Sequence, residues 1–208
     1  MLAELAPNPA TRTQQLPPAV WPPRKRWTRE ECRTLDSTGL WDRERLELIE
    51  GDLLTRMSKN RPHVIAYVLM LEWLTQVFGA LYLNPESPID VAPEDNPTSE
   101  PEPDFAVLTK TATEYTTGNP APSDIRLLIE ISDSTLAFDL GPKARLYARA
   151  AIAEYWVVDL ENRSLHVHRD PTNGIYSTVT TCDETQTLTP LTAPAALLNI
   201  SAILPPRP

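Results

Sequence analysis

Apolar residues recur at helical spacing in one long stretch and cluster in short runs elsewhere. From Asn60 to Gly79, the positions Val64, Val68, Leu71, Leu74 and Phe78 follow a helical period, and Gly79 stands where a C-cap belongs. That stretch predicts the main helix. A shorter helix opens at Thr28, whose capping-box partner is Glu31, and ends near Gly39. Glu47–Met57 predicts a hairpin of two short strands turning at Glu50-Gly51-Asp52. Phe105–Leu108, Arg126–Ser132 and Glu154–Asp159 are apolar enough to be strands covered on both faces. Ser164–Arg169 alternates as a partly exposed strand does, and Ile175–Thr181 follows an Asn173-Gly174 turn. Leu81–Leu83 and Ile89–Val91 are weaker strand candidates, and Leu140–Ala150 predicts a helix. This order describes a mixed α/β domain around one sheet, not a doubly wound fold.

Composition changes that picture at the ends. Prolines at 7, 9, 17, 18, 22 and 23 predict an extended tail over residues 1–24, followed by one domain over 25–204 and a short tail over 205–208. The net charge of −9 argues against a general polyanion-binding surface, so any basic track must be local. Arg24, Lys25, Arg26, Arg56, Lys59, Arg61, Arg145 and Arg149 are the cations available for one. Cys32 and Cys182 share no motif spacing and read as free thiols. No run reaches membrane-spanning length and no signal peptide is evident, which makes the cytoplasm the expected location.

The candidate chemistry lies between Pro103 and Lys143. On the strand from Leu127, side chains of Leu127, Ile129 and Ile131 point one way, and Leu128, Glu130 and Ser132 the other. Glu130 therefore shares a covered face, where a carboxylate is costly unless it is paired. Asp104 heads another strand, on the face of Ala106 and Leu108. If the two strands are neighbours, the carboxylates converge into an oxygen-rich site suited to Mg²⁺ or Mn²⁺. Lys143, which opens the next helix, could then orient water or face developing charge. The plainer alternative is a salt-bridged strand acid and a solvated helix lysine.

Pro103-Asp104 followed by Glu130-Ile131-Ser132 resembles the PD-(D/E)XK nuclease signature, with Ser132 where the lysine usually stands. The wider pattern resembles the Uma-two family of restriction endonuclease-like proteins. It comprises Thr28–Glu31, Glu47-Leu48 with Gly51, His63, Pro103-Asp104, Glu130 with Ser132 or Asp133-Ser134, Asp139-Leu140 with Lys143, and Glu154-Tyr155-Trp156. The resemblance implies a restriction endonuclease-like core: one mixed central sheet flanked by helices. It implies a metal-dependent endonuclease acting on DNA, with Mg²⁺ or Mn²⁺ held by Asp104, Glu130 and the Ile131 carbonyl. Lys143 would activate the attacking water, and Glu47 would be an additional acid, although it reads equally well as a hairpin surface residue. His63 and Tyr147 are candidate substrate contacts, each with a local structural role as the alternative. Asp139 reads as a helix cap. Trp156 reads as core, and His166 and His168 as surface residues. A homodimer follows from the superfamily's habit of cutting two strands with two subunits. The alternative is an inactive nuclease-like fold that binds nucleic acid or protein.

Overall fold

The computed structural model describes residues 23–39, 45–56 and 59–207. The expected N-terminal tail lies outside the described residues apart from Pro23 and Arg24, as do Met57 of the hairpin and Pro208. The described elements begin with helix α1 (Arg29–Asp36), the hairpin strands β1 (Leu46–Ile49) and β2 (Asp52–Thr55), and the long helix α2 (Arg61–Phe78). Strands β3 (Leu83–Pro85), β4 (Phe105–Leu108) and β5 (Ile125–Ser132) follow. A helical segment comes next, made of a turn α3 (Leu136–Phe138), a π-helical turn (Asp139–Lys143) and α4 (Ala144–Arg149). Strands β6 (Glu154–Asp159), β7 (Ser164–Thr172) and β8 (Ile175–Asp183) complete the main sheet. A small pair, β9 (Thr187–Leu188) with β10 (Leu198–Asn199), lies beyond it.

The sheet runs β3-β4-β5-β6-β7-β8 and is antiparallel except where β6 lies parallel to β5. That parallel pair needs a crossover, which α4 supplies. The strand parity read from the sequence holds. Leu127, Ile129 and Ile131 pack with Trp156, Val158 and α2 residues Ala66, Met70 and Leu74 on one face. Leu128, Ala106, Leu108 and Val157 pack with Leu146, Tyr147 and Ala148 of α4 on the other. Trp156 is fully buried, as expected.

Local chemistry explains the framework. The Thr28 hydroxyl caps Glu31 N–H and the Glu31 carboxylate returns to Thr28 N–H, so the capping box forms. The hairpin turns at Glu50-Gly51, both with positive φ (49° and 80°), the two-residue turn whose twist matches paired strands. A Cβ on Gly51 would also press within 2.9 Å of Arg26. The hairpin is tied to the preceding loop of β4 through Glu100 N–H to Leu48 C=O and Gly51 N–H to Thr98 C=O.

Three expectations need correction. Ile89–Val91 is no strand: it is buried, but Ile89 and Asp90 donate to the loop carbonyls of Pro101 and Pro120. Of Leu81–Leu83, only Leu83 enters a strand. His168 is buried, tilted against Tyr155 at 5.4 Å and edge-on to Tyr176 at 5.6 Å, where the strand alternation had suggested exposure.

Candidate active site

The β4–β5 register pairs Phe105 with Ile129, so Asp104 and Glu130 face each other one step further along. Both are buried. Asp104 Oδ2 accepts the Ile131 N–H at 2.8 Å. In an extended strand a residue's N–H and C=O point to the same side, so the Ile131 carbonyl also faces the Asp104 side. Lys59 Nζ lies 2.9 Å from Asp104 Oδ1 and 2.8 Å from Glu86, over the Tyr67 ring at 4.2 Å. His63 Nε2 lies 3.4 Å from Asp104 Oδ2. Burial pushes the Asp104 carboxyl up. The His63 hydrogen bond and charge, the Lys59 ammonium and the Ile131 N–H outweigh that and hold it well below the usual carboxylate range.

Lys143 Nζ completes the cluster, 2.9 Å from Glu130 Oε1 and 3.0 Å from Glu47 Oε1. Glu47 is oriented by the Glu102 N–H at 2.9 Å. Its hairpin strand is folded inward, so Glu47 is a buried site acid and not a surface one. Burial raises the Glu130 carboxyl; Lys143 opposes this, while Asp139, Asp104 and Glu47 add to it. Burial works against the Lys143 charge, but Glu130, Glu47 and Asp139 hold its ammonium well above the ordinary range.

The π-helical turn delivers Lys143. Pro142 has no N–H to give the helix ladder, and Ala144 N–H reaches back five residues to Asp139 C=O. The widened turn rotates Lys143 and Asp139 together toward the sheet, and both are buried. Lys143 thereby reaches the carboxylate beside which a strand lysine at the Ser132 position would stand. Asp139 is not a helix cap: it sits inside the helical segment and accepts the Thr135 hydroxyl at 2.6 Å. Tyr147, a candidate substrate contact with packing as its alternative, is fully buried. Its hydroxyl donates to Glu130 Oε1 at 3.1 Å, so it holds the acid from behind.

These groups line a cleft of about 530 Å³ that includes Glu47, Arg56, Lys59, His63, Asp104, Glu130, Ile131, Asp139 and Lys143. Arg56 pairs with Glu102 and Lys59 with Asp104 and Glu86. The remaining cations do not gather here: Lys25 pairs with Glu31, Arg26 with Asp52, and Arg149 with Glu50 and Asp95. Five carboxylates (Glu47, Asp104, Glu130, Asp133 and Asp139) face three permanent cations (Arg56, Lys59 and Lys143) along the walls.

Among the described residues no three His, Cys, Asp or Glu side chains form a ready metal cage, because the Lys143 ammonium fills the space between Glu47 and Glu130. Asp104, Glu130 and the Ile131 carbonyl are oxygen donors of the type Mg²⁺ takes, with Lys59, His63 and the Ile131 N–H now on Asp104 and with Lys143 and Tyr147 on Glu130 Oε1. That ion is commonly held by one or two carboxylates and keeps several waters.

A sheet with one parallel pair crossed by a helix, and acids from two adjacent strands meeting a lysine in its cleft, define a restriction endonuclease-like protein. A family model described as "Putative restriction endonuclease" matches residues 30–201, and the chain belongs to that family, Uma2. The chain is also similar to the crystal structure of a "putative nuclease belonging to DUF820" from Anabaena variabilis. The TM-score is 0.57 at 15% identity, over 76% of this chain and 88% of that one, a likeness of fold. No curated protein matches the chain.

Proposed function

We propose that this protein is a metal-dependent endonuclease that hydrolyses phosphodiester bonds in DNA. The observation that carries the reading is the meeting of Asp104, Glu130 and Lys143 in one cleft. Asp104, Glu130 and the Ile131 carbonyl would hold Mg²⁺ or Mn²⁺. Such an ion polarises a phosphoryl oxygen and lowers the pKa of a bound water. Lys143 orients the attacking water and faces the negative charge that develops at phosphorus. Glu47 shares the Lys143 ammonium with Glu130 and sets its position. Tyr147 fixes the Glu130 oxygen that Lys143 uses. Lys59 and His63 hold Asp104 ionised and stand where a phosphate would enter.

One observation favours a second reading, a nuclease-like fold that binds nucleic acid or protein without cutting. The cleft cations Arg56 and Lys59 are already paired with acids, in a chain of net charge −9. Cleavage of plasmid and single-stranded DNA with Mg²⁺ or Mn²⁺, wild type beside Glu130→Ala, separates the two. Cleavage by the wild type alone supports the nuclease. No cleavage by either, with no metal uptake by calorimetry, moves the assignment to the binding module. Equal cleavage by both refutes this placement of the active site.

A further inference from the structure

Helix α2 is apolar around more of its circumference than its buried side requires. Ala66, Met70 and Leu74 face the core. At about 100° per residue, Arg61, Val64, Ile65, Val68, Leu69 and Glu72 fall on the opposite side, within about 140° of one another. Val68 is 55% exposed there. Neither Arg61 nor Glu72 forms an ion pair among the described residues; Glu72 receives only a 3.5 Å contact from Gln76. The order along this side is cation, two aliphatics, two aliphatics, anion. Reversed about the point between Ala66 and Tyr67, it maps onto itself: Arg61 on Glu72, Val64 on Leu69, Ile65 on Val68.

We propose that this outward face of α2 is the interface between two copies of the chain, packed antiparallel about a two-fold axis. An isologous contact requires self-complementarity, and the Arg61–Glu72 correspondence supplies it twice per dimer. A single helix face buries less than the ~800 Å² per partner typical of tight complexes, so the dimer is one of micromolar affinity. Because Asn60 and His63 border the cleft at the start of α2, the arrangement puts the two clefts at opposite ends of the helix pair.

Sedimentation equilibrium of the full chain across the micromolar range tests this, reading mass and not cleavage. Its failure is therefore distinct from failure of the nuclease reading. The wild type should show a concentration-dependent dimer, and Val68→Glu should be monomeric with an unchanged circular dichroism spectrum. Arg61→Glu and Glu72→Arg should each weaken the dimer by about tenfold or more, and the double reversal should bring it back to within about threefold of wild type. A monomer at every concentration, a dimer indifferent to the three single changes, or a double reversal without recovery overturns the proposal. So does a dimer that dissociates when the chain is cut back to Pro23, which would make the leading segment the occupant.

Discussion

Replacing Lys143 by methionine keeps the length and volume of the side chain and removes its charge. Glu130 and Glu47 then face each other, each having lost a contact of 2.9 or 3.0 Å to the ammonium. Breaking a buried ion pair by removing one partner costs about 3–5 kcal/mol. The folded chain has one way to limit the cost, which is to protonate a carboxyl whose ordinary value is 4.5. Holding that proton at pH 7 costs about 1.36 kcal/mol per pH unit above the ordinary value, so about 3 kcal/mol; at pH 5 it costs less than about 1 kcal/mol. The folded variant thus binds a proton that the unfolded chain releases. Wild-type Glu130 is itself raised, to about 8, so both proteins lose stability between pH 5 and 7; the variant's stability relative to wild type must fall as pH rises past about 8, where only the wild-type carboxyl has ionised beside Lys143. Urea unfolding of both proteins below and above that value measures this. Millimolar Mg²⁺ should restore more stability to the variant than to wild type, since a cation replaces the missing charge, while cleavage stays lost. A penalty below about 1 kcal/mol on the alkaline side of about 8, or one that does not change across that value, would refute the buried lysine–dicarboxylate arrangement.

Other groups give further outcomes. Burial, helped by the charge of His166, depresses the His168 imidazole to about 4, and its Nδ1 is buried without a partner. Its contribution to stability is therefore complete above about 6.5 and is lost as pH falls toward 4; allowing for partial solvent screening, that loss is about 2 kcal/mol. His168→Phe should flatten the stability profile between those limits, measured by urea unfolding, and an unchanged profile would exclude His168 as its source. Lys59→Ala should raise KM for DNA more than it lowers kcat, with metal affinity changed little, because Lys59 is the most exposed of the three cleft cations and the one an entering phosphate would meet; steady-state cleavage and calorimetry separate the two. Tyr147→Phe removes one hydrogen bond to Glu130 from a buried site and should destabilise the protein by about 1–2 kcal/mol by thermal melting, with cleavage reduced but not abolished.

The sheet was legible because strand parity is a local property: once Leu127–Ser132 is a strand, Glu130 must share the face of Leu128, and it does. The β4–β5 pairing that brings Asp104 to Glu130 was read only as a condition, since register between strands separated by a long loop leaves no mark in either. What stayed hidden depends on partners distant in sequence. Ile89–Val91 looks like a strand, but the Ile89 and Asp90 N–H groups are taken by loop carbonyls and that of Val91 by the Asn96 side chain. His168 alternates like an exposed residue, but Tyr155 and Tyr176 close over it.

The helical segment is the instructive case. Asp139 beside Gly141 and Pro142 looks like a helix start, because proline is tolerated at a first turn and aspartate caps one. The same residues also satisfy a π-helical turn, in which the N–H that proline lacks is not needed and the helix gains a residue of rotation. Burial decides between them. A capping Asp139 would be at the surface, whereas here it is buried with Lys143 and accepts the Thr135 hydroxyl. A proline within a helix, next to a lysine that must be buried, therefore marks the turn by which a site lysine can leave its strand for the facing helix and still reach the same carboxylate.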